Sequence, residues 1–77
     1  MFLVIEQQGD ETRFIGPFYA REKAQSWAAH RATKAIVGDQ RGVIDVAANG
    51  DAVTLLTDKG DVKAEWLVEP MNEPDAF

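Results

Sequence analysis

The sequence predicts an α+β fold: a mainly antiparallel five-stranded sheet with one helix packed on one face, in the order ββαβββ. Alanine recurs at helical spacing in one stretch only, residues 20–36. Apolar, β-branched runs lie on both sides of it. Gly9-Asp10, Asn49-Gly50 and Lys59-Gly60 then divide those runs into hairpins.

Residues 2–6 are apolar enough for a first strand, and Gly9-Asp10 supplies its turn. A two-residue loop there pairs Gln8 with Glu11, Glu6 with Arg13, Ile5 with Phe14 and Val4 with Ile15. The one opposite-charge pair and the two apolar pairs contribute about 0.2–1 kcal/mol each. Leu3, Ile5 and Phe14 are assigned to the helix side, and Phe2, Val4 and Ile15 to the other. Gly16-Pro17 ends the second strand, because proline cannot donate to a ladder and restricts the residue before it.

Ala20, Ala24, Ala28, Ala32 and Ala35 give the helix a small face that permits close approach to the sheet, with Trp27 at its edge over the seam. Gly38-Asp39 is its stop. No Ser, Thr, Asp or Asn stands at the N-cap near Tyr19 or Ala20. A meander follows. Two-residue loops at Asn49-Gly50 and Lys59-Gly60 pair Val46 with Val53, Ile44 with Leu55, Leu55 with Ala64 and Val53 with Trp66. Both turns place Ile44, Val46, Val53, Leu55, Val62, Ala64, Trp66 and Val68 inward, and a one-residue slip would break that agreement. Residues 1–68 form one domain. Residues 69–77 carry two prolines and three acids and read as an extended acidic tail.

With 77 residues and no cysteine, the chain buries only about 60–65% of its unfolded surface and has no disulfide or zinc-thiolate site to support it. The composition fits a reducing, cytoplasmic setting, and the N-terminus lacks the basic region and cleavage site of a signal peptide. No apolar run approaches the ~20 residues of a membrane span. The net charge of −5 divides unevenly: −2 over residues 1–19, +3 over 20–41 and −6 over 42–77. The surface is therefore two-signed.

Catalytic chemistry is sparse. His30 and Ser26, the only histidine and serine, lie four residues apart on the helix, yet nothing marks an orienting group or an oxyanion hole. They read as solvated polar residues. Asp45, Asp51, Asp58 and Asp61 match no EF-hand spacing, and three of them flank tight turns, where aspartate is ordinary. No glycine-rich phosphate loop exists. The chain is expected to be no enzyme and to need no metal or cofactor.

Surface recognition remains. Asp45, Glu65, Glu69 and Glu73 present carboxylates to a basic partner and stand in for nucleic-acid phosphates. Phe2, Val4, Leu56 and Leu67, on the sheet face away from the helix, supply packing to a partner or to a second copy, since exposed apolar patches mark interfaces. The alternative is a basic stripe, Lys23, Trp27, Arg31 and Lys34, facing phosphate or an acidic protein. The acidic remainder of the chain disfavours nucleic acid. A structural homodimer is a third reading.

Gly16-Pro17-Phe18 followed by a helix with Ala24, Trp27 and Ala28 resembles a feature of small orphan proteins encoded by phages and prophages. The resemblance spans about 15 residues, and Ala20 departs from the Ser or Thr that commonly caps that helix. The peptidoglycan-binding SPOR domain also has a Gly-x-Phe before its first helix, but its βαββαβ order needs a second helix that this sequence lacks. The phage resemblance implies a context, occlusion of a host protein of the defence or transcription machinery, and carries over no functional residue.

Overall fold

The structure is a computed structural model and describes residues 1–38 and 42–71. Its elements are β1 Phe2–Gln8, β2 Glu11–Phe18, α1 Arg21–Gly38, β3 Val43–Val46, β4 Ala52–Leu56 and β5 Val62–Pro70. The five strands form one sheet in the order β2-β1-β5-β4-β3, with every neighbouring pair antiparallel. β1 against β5 joins the hairpin to the meander, with Val4 opposite Val68 and Glu6 opposite Trp66. The expected fold and order are those observed.

The turns explain the registers. Gln8 pairs with Glu11 around Gly9-Asp10. Gly9 has φ 59° and Asp10 a negative φ, so the glycine-first order suits a type II′ turn. At the β3–β4 turn, Gly50 donates its N–H to the Ala47 carbonyl at 2.8 Å and has φ 79°. A Cβ there would meet Gln25 Nε2 at 2.9 Å, so both backbone and space call for glycine. After β4 the loop is three residues, not two: Thr57 donates its N–H to the Asp61 carbonyl at 2.8 Å. Leu56 then pairs with Val62 and Leu55 with Ala64. Lys63 is the extra residue of a bulge that restores the predicted pairing.

The core is Val4, Val53, Leu55, Ala64, Trp66 and Val68 from the sheet, closed by Ala24, Ala28 and Ala32 of α1. Trp27 fills the seam against Phe18, with ring centroids 6.3 Å apart. Four expectations need correction. The first hairpin is turned over: Val4 is fully buried under the helix, Phe2 and Ile15 pack on the core, and Leu3, Ile5 and Phe14 face away. Val62 is not inward; the bulge sets it opposite Leu56, 62% exposed. Val46 does share the inward side with its partner Val53, as expected, although on edge strand β3 it stays exposed. β2 does not end at Gly16-Pro17: the ladder steps over them and resumes at Phe2–Phe18. At the other terminus β5 reaches Pro70, and the Met71 N–H donates to the Met1 carbonyl at 2.9 Å. Glu69 and Pro70 thus belong to the sheet, and residues 72–77 lie outside the described residues.

Candidate functional site

Strand alternation places every residue of the helix-free face. One row crosses four strands, Phe14–Ile5–Leu67–Ala52, with Leu3 beside Ile5 on β1. Next to it runs a polar row, Thr12–Gln7–Glu65–Thr54–Asp45. Beyond that lies a second apolar group, Val62–Leu56–Val43. The exposed apolar surface is therefore two strips divided by carboxylates. Glu65 and Glu69 stand two residues either side of Leu67 on the same face of β5, with Glu69 opposite Leu3. Glu65 is half-buried, whereas Asp45 and Glu69 are exposed.

The expected docking residues divide accordingly. Asp45, Glu65, Glu69, Leu56 and Leu67 share this face, though Leu56 and Leu67 lie on opposite sides of the polar row. Phe2 and Val4 do not belong to it, because β1 presents its even-numbered residues to the helix. Their places are taken by Leu3 and Ile5, with Phe14 66% exposed beside them. Glu73 lies outside the described residues. The register that sets Ile5 opposite Phe14 is legible in the sequence and carries the signal for this apolar pair; the assignment of the pair to the helix side is what the structure reverses.

Under the helix the charges serve the fold. Glu6 is 4% exposed. Its Oε1 accepts from Gln8 Nε2 at 2.7 Å and from Arg31 Nε at 3.3 Å. Arg21 Nε lies 3.5 Å from Asp51 Oδ1, and its guanidinium sits 5.3 Å from the centre of the Phe2 ring. Gln25 Nε2 donates to Asp51 Oδ1 at 2.8 Å and to the Asn49 carbonyl at 3.1 Å, tying the uncapped start of α1 to the β3–β4 turn. Of the basic stripe, Arg31 thus pairs with Glu6 and Trp27 is half-buried in the seam; Lys23 and Lys34 are exposed. His30 and Ser26 are also exposed, on the outer side of α1.

A recess of about 80 Å³ at the Glu6–Arg31 pair is lined by Glu6, Gln8, Glu11, Arg13 and Arg31. Two carboxylates and two guanidiniums already balance there, with Arg13 also 3.4 Å from Glu11. Among the described residues no three His, Cys, Asp or Glu side chains gather as a metal site. No helix among them is long and apolar enough to cross a membrane. We found no family model, no curated protein and no solved structure that matches the chain.

Proposed function

We propose that this chain is a non-catalytic protein-binding module whose helix-free sheet face docks a partner carrying basic side chains around an apolar patch. The observation that carries the reading is the Phe14–Ile5–Leu67–Ala52 row, left uncovered by the helix and bordered by Glu65 and Glu69 on β5. Apolar side chains supply contact area, and the flanking carboxylates steer a cationic partner and fix its register. In this reading the module acts by stoichiometric occlusion. The strand–Gly-Pro-Phe–helix resemblance to phage proteins supports a host protein of the defence or transcription machinery as the one occluded, inside the host cell.

The test is affinity capture from host lysate with three baits: the unaltered chain, Glu65→Lys/Glu69→Lys, and a charge-matched control, Asp10→Lys/Asp58→Lys, altered only in exposed turns. A basic protein retained by the first and third baits, lost from the second and released by about 0.5 M salt is expected, since exposed charges are largely screened at that ionic strength. Equal retention on all three baits would sink the proposal.

A further inference from the structure

We infer that the element this face takes from its partner is a cationic amphipathic helix, laid across the strands along the Phe14–Ile5–Leu67–Ala52 row. The inference rests on the docking reading above and names the occupant of the same face. The row crosses four strands, about 14 Å at ~4.8 Å per strand. That is roughly two and a half turns of helix at 5.4 Å per turn.

The width of the row discriminates further. Glu65 and Glu69 are four residues apart on β5 and bracket Leu67, a separation of about 13 Å at ~3.3 Å per residue. A helix with its side chains is about 10–12 Å across. The two carboxylates therefore stand just outside both flanks of a helix seated on the row. Lysine or arginine bordering an apolar stripe reaches outward from those flanks while its methylene stem stays on apolar surface. An extended strand shows the face only one file of alternate side chains. In a strand laid along the row, cations in that file would replace its apolar contacts and could not stand on the row's two flanks.

A second copy of this chain does not meet these requirements. Over residues 21–35, α1 turns Lys23, Ser26, His30 and Lys34 outward, and its large apolar side chain, Trp27, is half-buried in the seam against Phe18. Two helix-free faces set against each other would oppose Asp45, Glu65 and Glu69 with the same carboxylates, and like charges across an interface are unfavourable.

The experiment uses the whole chain and fluorescein-labelled peptides of about 14 residues, near the length at which an isolated helix becomes marginally stable. One has seven leucines on one helical face, at i, i+3, i+4, i+7, i+8, i+10 and i+11, and seven lysines elsewhere. The second has the same composition in strict alternation, and the third replaces every lysine of the first by glutamate. Anisotropy titration is expected to show the helical leucine–lysine peptide binding about tenfold or more tighter than the alternating one, a difference of about 1.4 kcal/mol. Glu65→Lys/Glu69→Lys should weaken it by a similar factor, the glutamate peptide should not bind, and the amide resonances of Ile5, Leu67 and Glu69 should move. If the alternating peptide binds as tightly with the same charge dependence, the helix inference is overturned and the docking reading survives. If neither lysine peptide binds, both are overturned.

Discussion

The two faces of the sheet have similar raw material and opposite fates. On one, Val4, Val68, Trp66, Val53 and Leu55 meet Ala24, Ala28 and Ala32, and all eight side chains are buried. On the other, Ile5, Leu67 and Leu56 are only half-buried, and Phe14 and Val43 are exposed. Apolar content does not separate them. What separates them is a helix narrow enough on its alanine side to close over the large residues of one face. The carboxylates divide in the same way: Glu6 is sealed in and paired, whereas Glu65 and Glu69 line the open row.

The largest expected effect follows from emptying the closed face. Trp66 is fully buried, and Trp66→Ala should cost about 3–5 kcal/mol. That matches the ~3–5 kcal/mol a core this small supplies, so the variant should be substantially unfolded at 25 °C by circular dichroism. The indole N–H of Trp66 has no acceptor among the described residues, a burden of about 1–3 kcal/mol. Trp66→Phe removes that group together with some volume and should retain a cooperative transition. A folded Trp66→Ala chain would show that the closed face is not the core.

Next in size is the buried charge on that face, Glu6. Glu6→Gln keeps the shape and removes the charge that Arg31 Nε and Gln8 Nε2 address. Arg31 is 45% exposed and turns to water when released. The cost is therefore below that of breaking a fully buried pair, about 1–2 kcal/mol. Urea denaturation should show a lower midpoint with an unchanged slope. An unchanged midpoint would mean that the pair contributes nothing to closing the helix onto the sheet.

Glu6 also explains how much of the fold and site was legible beforehand. Registers were readable because turn chemistry and cross-strand pairs fix them locally: Gln8–Glu11, Ile5–Phe14 and Val46–Val53 all stand as read. The facing of the first hairpin was not. Phe2 and Val4 share a side with a glutamate, Leu3 and Ile5 do not, and a charge ordinarily marks the solvent side. The deciding interactions are long-range: Arg31 reaches Glu6 from the helix, and β1 adds to β5 with Val4 opposite Val68. Val62 failed for another reason, since a third loop residue and a compensating bulge leave the upstream pairs unchanged while turning only this side chain outward. The acidic half of the site was legible as charge density along β5; its apolar half was legible only as pairs whose side was unknown.

The smallest stability effect belongs to the open face, where the difference between the two faces is sharpest. Phe14 lies on edge strand β2, 66% exposed, at the end of the row that continues through Ile5 to Leu67. Phe14→Thr puts another residue of high strand propensity in place of the aromatic one and removes little buried surface, so its effect on unfolding should stay within about 0.5 kcal/mol. The same change takes an aromatic ring from the proposed docking row, and aromatics often dominate the energy of such contacts. Affinity for the helical leucine–lysine peptide should therefore fall several-fold while the denaturation midpoint hardly moves. A large loss of stability with unchanged peptide affinity would reverse the assignment, making Phe14 a structural residue and leaving the row without its aromatic anchor.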